Sequence, residues 1–196
     1  EAVEGVLQAT ITRAGKDPII VAQPVSIAAG EQREISFTAA DFAELAVDRP
    51  DLWWPYTMGN PNLYDLRLDF IQNRQVTTTS SMRFGIRTVT QARDSDSGAG
   101  DGGNFYLKIN GRDFLVRGAT YTPDLLYKYD PDRDGAILRY AKDLGVNMLR
   151  LESKISSARF IEQADEMGIP LMYGWMCCNQ WEKWPQWDGE DRRVAA

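Results

Sequence analysis

The sequence predicts two folds in succession: an antiparallel β-sandwich, then the first strands and helices of an incomplete parallel β/α barrel. Three observations carry this. Residues 1–90 hold short alternating apolar and polar runs broken by Gly, Pro, Asn and Asp, the pattern of antiparallel sheets with one buried face. Residues 104–187 alternate strand-like apolar runs with amphipathic helix-like runs, an order that lays strands in parallel. Between them, QARDSDSGAGDGG at 91–103 loses all apolar periodicity, as a linker or exposed loop does. The expected domains are therefore 1–90, a linker at 91–103, and 104–196.

Each element has its own signal. Val3, Leu7, Ala9 and Ile11 oppose Glu4, Gln8, Thr10 and Thr12, a half-buried strand. Ile19 to Ala22 follows the breaker Pro18, and Glu34 to Thr38 presents Ile35 and Phe37 inward. Tyr64, Leu66, Leu68 and Phe70 alternate with Asp65, Arg67 and Asp69, the cleanest strand of the chain. Gln75 to Val89 reads as one long strand or two short ones, with Gly85 at a bulge or bend. The loop LWWPYTMGNPNLYDL at 52–66 gathers Trp53, Trp54, Tyr56 and Tyr64. Such a cluster either packs over a sandwich end or a neighbouring domain, or stacks on sugars.

In the second half, Asn110-Gly111 between strand-like runs predicts a type I′ hairpin. A strand continues through Arg117 to Tyr121. Asp130 before Pro131 reads as an N-cap with Pro in the first turn. Ile137, Tyr140, Ala141 and Leu144 then define one helix face, and Gly145 ends it. Val146 to Leu151 suits a parallel strand buried on both faces. Ser156 or Ser157 opens a second helix, with Phe160, Ile161, Ala164 and Met167 inward and Gly168 at its end; Ile169 to Tyr173 is the next strand. A doubly wound nucleotide fold shares this order. It would place a Gly-rich phosphate turn after the first strand, where this chain has TPDLLYKYDPD.

Composition narrows the function. A net charge of −6 and the lack of a basic stripe disfavour nucleic acid and anionic membranes as partners. No apolar run approaches the roughly 20 residues of a membrane span. The chain starts at Glu1 within a strand pattern, as an excised or processed piece would. There is no histidine, which excludes His-based triads and the commonest zinc sites. No metal or cofactor is expected. Cys177 and Cys178 are adjacent. They read as reduced thiols, a vicinal disulfide being strained.

The polar groups expected at the barrel's strand ends are Tyr121, Thr122 and Asp124, then Arg150 and Glu152, then Trp175 and Asn179. Barrel active sites are built from such C-terminal ends. Carboxylates, an Arg and indoles together suit a sugar, because rings cover C–H faces and carboxylates accept hydroxyl protons. Arg150 and Glu152, two apart on one strand, share a face and are equally readable as a satisfied ion pair. Trp181, Trp184 and Trp187 either line a cleft or pack a loop.

The runs RFGIR at 83–87, NGRDFLVRGATYTPDLL, LGVNMLRLESK and ADEMGIPLMYGWMCCNQWEKW together resemble glycoside hydrolase family 2, within it the exo-β-D-glucosaminidase branch. The resemblance is weakest over residues 1–50. It implies an immunoglobulin-like sandwich over 1–90, followed by the entry to a (β/α)₈ TIM barrel. It implies a retaining hydrolase acting on terminal β-linked sugars of oligo- or polysaccharides, and further domains of a parent chain as partners. A secreted or periplasmic protein would fit. The family's two catalytic glutamates lie at later strands, so no residue here is assigned a catalytic role. The carried-over roles are binding ones: Asp124 at the non-reducing-end sugar, with Tyr121, Arg150, Glu152 and Trp175 shaping the pocket. That branch reads GWECC where this chain reads GWMCC, so Met176 marks the specificity. A thioether cannot pair with an ammonium group, and a neutral β-mannoside or β-galactoside stays open. The rival reading is a non-catalytic sandwich module that binds carbohydrate or a partner.

Overall fold

A computed structural model describes residues 2–94, 104–122, 124, 126, 128–152 and 156–173. The chain divides into two compact units. One joins Glu1–Asp51 to Asn62–Ile86; the other joins Leu52–Pro61 to Arg87–Ala196.

The first unit is a four-stranded antiparallel sheet of β1 (Val3–Thr12), β2 (Ile19–Ile27), β3 (Tyr64–Gln72) and β4 (Gln75–Phe84), in the order β2-β1-β3-β4. β2 runs five residues past the predicted Ala22, through Pro24. Proline is tolerated there because β2 is an edge strand bonded only to β1. Asn73 and Arg74 both take positive φ, 49° and 64°, and close the β3–β4 hairpin in two residues. The register aligns Val21, Ala9 and Leu68 on one face, where Val21, Ala9, Val25 and Tyr64 are buried. Segment 28–51 covers that face: Gln23 Nε2 donates 2.9 Å to the Ser36 carbonyl, and Phe37 packs on Phe42 before a 3₁₀ turn at Ala43–Leu45.

This corrects two expectations. Glu34 to Thr38 is not a strand. The polar run before it closes on itself instead, Glu31 accepting from the Ala28 amide through Oε2, while a side chain satisfies the Ser36 carbonyl. Among the described residues this unit therefore has one sheet under an irregular layer, where the sequence suggested two facing sheets.

The second unit opens with β5 (Val89–Asp94), β6 (Asn104–Ile109) and β7 (Arg112–Asp113), an antiparallel meander. Asn110 and Gly111, at φ 51° and 76°, make the predicted tight turn. Asp94 pairs with Asn104, so 91–94 belongs to a strand rather than to a linker, and the units divide between Ile86 and Arg87. The apolar residues of 89–94, Val89 and Ala92, are three apart and do not alternate, which hid the strand. Then follow β8 (Gly118–Tyr121), α1 (Pro131–Asp143), β9 (Met148–Leu151), α2 (Ala158–Met167) and β10 (Leu171–Tyr173). β8, β9 and β10 are parallel and adjacent in chain order.

Both helices start as predicted. Asp130 accepts from the Asp132 and Arg133 amides, and the Ser157 hydroxyl accepts from Phe160 N at 3.1 Å. Gly145 and Gly168, at φ 74° and 70°, turn the chain out of them. The buried face of α1 differs from the expected one. Asp134, Gly135, Leu138 and Ala141 are buried, while Tyr140 and Leu144 are exposed. Gly135 and Ala141 have little bulk, which lets that stripe approach its neighbours; the larger Tyr140 lies one residue round the helix. Leu138, Ala141, Leu149, Leu151, Phe160, Ala164 and Ile169 form the core. Ile109, Phe114 and Met148 form a second cluster on the other face of the sheet.

The aromatic loop packs into this unit. Trp53 is fully buried, and Arg87 lies 4.3 Å from its ring centroid. Trp54 sits beneath Arg112. Tyr56 N donates to Gly168 O at 2.9 Å, and its hydroxyl donates to Val146 O at 3.1 Å. A sugar-stacking role for Trp53 is thereby excluded. Tyr64 does not join this cluster; it lies in β3 and stacks on Phe84.

Candidate functional site

Parallel pairing brings the C-terminal ends of β8, β9 and β10 to one edge. Thr120, Arg150 and Met172 stand side by side, as do Tyr121, Leu151 and Tyr173. The ladder extends one residue further, Glu152 N donating to Tyr121 O at 2.9 Å. Alternation then sorts the side chains. Tyr121 turns to the helix layer, its ring stacked on Phe160 with centroids 5.2 Å apart. Arg150 and Glu152 share the opposite face, with Arg150 Nη1 2.9 Å from Glu152 Oε2. That oxygen is buried and accepts no aligned hydrogen bond among the described residues. The contact is an ion pair held by charge rather than by donor geometry.

Asp124 lies just past β8 and is heavily engaged. Its Oδ2 accepts from Arg133 Nη1 at 2.9 Å; its Oδ1 accepts from Leu126 N at 2.9 Å and Lys128 N at 3.3 Å. Hydrogen bonding from Arg133, and then from the two amides, holds its carboxyl below the ordinary carboxylate range. Burial raises the Tyr121 hydroxyl, and the neighbouring Asp134 carboxylate raises it further. Burial likewise raises the Asp134 carboxyl.

Sequence reasoning found Asp124, Arg150 and Glu152 and placed them on one sheet edge, but missed Arg133. The signal was available: Arg133 follows the Asp130 cap by three residues, so it sits in the first turn of α1, next to the strand end the chain has just left. Trp175 and Met176 lie outside the described residues, as do Cys177, Cys178, Asn179, Trp181, Glu182, Trp184 and Trp187. No group of three or more acidic, Cys or His residues is placed to hold a metal among the described residues.

Residues 1–87 match the family model of glycosyl hydrolases family 2. Beyond it, the chain is similar to exo-β-D-glucosaminidases. It is 35% identical to that of Amycolatopsis orientalis over 92% of its length and 16% of the relative's. It is 39% identical to that of Streptomyces avermitilis over 81% of its length and 17% of the relative's. The crystal structure of the A. orientalis exo-chitosanase superposes with a TM-score of 0.77 at 32% identity, covering 98% of this chain and 22% of that one. The chain thus spans about a fifth or less of the curated relatives it matches.

Proposed function

We propose that the chain is one part of a retaining exo-β-glycosidase that removes terminal β-linked sugars. Residues 1–51 and 62–86 are its β accessory domain, and the unit that holds residues 104–196 begins its (β/α)₈ barrel. The observation that carries this is the parallel edge: three strands adjacent in chain order, with Asp124 just past β8 and Arg150 and Glu152 at the C-terminal end of β9, the end at which barrel active sites are built. Asp124 and Glu152 accept hydrogen bonds from sugar hydroxyls. Arg150 orients Glu152, Tyr121 supports the wall from behind, and Trp175 covers the apolar ring face. Retention needs two carboxyl groups about 5 Å apart, one a nucleophile and one an acid/base. Asp124 and Glu152 are each tied to an arginine and fit binding rather than that pair. The catalytic glutamates therefore belong to the remainder of the relatives' length. The rival binding-module reading loses its strongest anchor, because Trp53 faces no solvent.

The test compares the 196-residue chain with the complete protein on aryl β-glycosides, following product anomeric configuration by NMR. Hydrolysis with retention by the complete protein alone is expected. Turnover by the 196-residue chain after stringent purification, or inversion by the complete protein, would overturn the reading.

A further inference from the structure

The apolar arc of α1 is wider than its described neighbours cover. Side chains step round a helix by about 100° per residue. Gly135 and Lys142 mark the flank toward α2: a Cβ on Gly135 would lie 3.3 Å from Gln163 Nε2, and Lys142 Nζ donates to the Met167 carbonyl at 3.2 Å. Leu138 and Ala141 face the core. Ile137, Leu144 and Tyr140 continue the arc past Ala141, on the flank turned away from α2. From Gly135 round to Tyr140 the arc spans roughly 220°, about twice the stripe of a helix with one covered face. Only half of it is used. Leu144 and Tyr140 are 62% and 64% exposed, and Ile137 is half-buried.

The strand beside that flank is open as well. α1 links β8 to β9, and α2 links β9 to β10, so the flank of α1 away from α2 lies over the outer side of β8. That strand bonds to β9 alone. Gly118, Ala119 and Thr120 are exposed, whereas β9 buries Met148, Leu149 and Leu151. Parallel sheets are stable when their edges and both faces are covered.

We propose that the free edge of β8 and the Ile137, Tyr140 and Leu144 flank of α1 form the seam on which the barrel closes. The edge takes the last parallel strand of the parent chain, and the flank takes the amphipathic helix that follows it. This rests on the glycosidase reading and adds to it the residues that hold the closure. A second copy of the chain fits poorly. Any two-fold pairing of β8 with itself either reverses the strand direction or puts the second set of helices on the other face, and the α1 stripe stays bare. A strand of the same polypeptide, entering parallel, brings its helix into the layer of α1 and α2. The matched glucosaminidases have room for it, since this chain spans 16% and 17% of the two named above.

The test uses the complete protein. Hydroxyl-radical footprinting of the unaltered protein follows oxidation of Tyr140 and Leu144. In a second preparation, Tyr140 is replaced by the photo-crosslinker p-benzoylphenylalanine, and the product is read by gel and by peptide mass spectrometry. Both residues are expected to oxidise at least tenfold more slowly in the native protein than in urea. The crosslink is expected within one polypeptide, to a helix roughly 200 residues or more beyond α1, because such barrels run to about 250 residues. Oxidation at the rate of the unfolded protein, a crosslinked dimer, or a crosslink to a segment within residues 1–196 overturns the inference. Hydrolysis of aryl β-glycosides is measured on the same unaltered protein. Hydrolysis with a rapidly oxidised stripe overturns the inference and leaves the glycosidase reading standing. A protected stripe crosslinked as expected, in a protein that hydrolyses none of them, supports the seam and overturns that reading.

Discussion

The indole Nε1 of Trp53 donates a 2.8 Å hydrogen bond to the main-chain carbonyl of Asp165, 112 residues further along the chain. Asp165 lies near the end of α2, where its carbonyl also accepts a longer bond, 3.3 Å, from the Gly168 amide. The indole supplies the shorter bond, and Arg87 both covers the indole ring and pairs with the Asp165 carboxylate at 3.4 Å. A loop that interrupts the first unit in sequence is in this way part of the second unit's fold.

Trp53→Phe keeps the bulk and removes the donor. It should lower stability by about 1 kcal/mol, the net worth of one hydrogen bond, because the Gly168 amide still donates to the Asp165 carbonyl at 3.3 Å. Trp53→Ala should cost about 3–5 kcal/mol through the cavity it leaves. Urea denaturation would report both as a fall in midpoint at unchanged slope. An unchanged midpoint for Trp53→Ala would mean that the loop does not support this unit.

Gly168 and Gly145 form a matched pair. Both have φ above 70° or at it, but only Gly168 is crowded: a Cβ there would lie 2.8 Å from Tyr56 N, whereas nothing lies within 4 Å at Gly145. Gly145→Ala should cost about 1–2 kcal/mol, the price of left-handed backbone. Gly168→Ala should cost clearly more, because Tyr56 must move and its hydrogen bond to Gly168 O is disturbed. Equal losses at the two sites would contradict the close approach.

Asn147 is 2% exposed and imitates a strand partner with its side chain. Its Oδ1 accepts from Arg117 N at 2.7 Å, and its Nδ2 donates to Leu115 O at 2.8 Å. Asn147→Ala leaves both backbone groups unpaired and should cost about 2–3 kcal/mol. Asn147→Asp should also destabilise, since a carboxylate cannot donate to Leu115 O. Hydrogen exchange should show the Arg117 amide losing protection in Asn147→Ala.

Two carboxyl groups should move stability with pH in opposite senses. The Thr79 hydroxyl, donating at 2.7 Å, is the main cause that holds Asp69 below its ordinary value of 3.8. Its contribution is therefore present above that value and lost as pH falls through the lower folded one. Burial raises Asp134 above 3.8. Its contribution is complete below 3.8 and lost as pH rises through the raised value. In denaturation from pH 2.5 to 7, Asp69→Asn should flatten the acid limb. Asp134→Asn should gain on the wild type as pH rises. The same profile for both variants would refute the assignment.

Local signals were well preserved between sequence and fold. The Asp130 and Ser157 caps, the Asn110-Gly111 turn, the terminating glycines and the alternation of β1 and β3 all appear where the residues imply. Each depends on neighbours within a turn or on a two-residue period, so the chain reads them without knowing its tertiary partners. The spacing of Arg150 and Glu152 belongs to the same class, since i and i+2 share a strand face whatever surrounds them.

Long-range choices were not legible in the same way. Nothing local separates Trp53 and Tyr56 from Tyr64, yet the first two pack with residues 87–168 and the third stacks within its own sheet. Which stripe of α1 is buried was decided by close approach at Gly135 and Ala141, not by where the larger apolar residues recur. The pairing of Asp124 with Arg133 needed the chain to leave β8, turn, and start α1 beside it. Periodicity records how a segment buries one face; it carries no information about which segment will cover that face. The order of elements, their caps and the same-face carboxylate and arginine on β9 were therefore written in the residues. The destination of the aromatic loop and the pairing of Asp124 with Arg133 were decided only by tertiary packing.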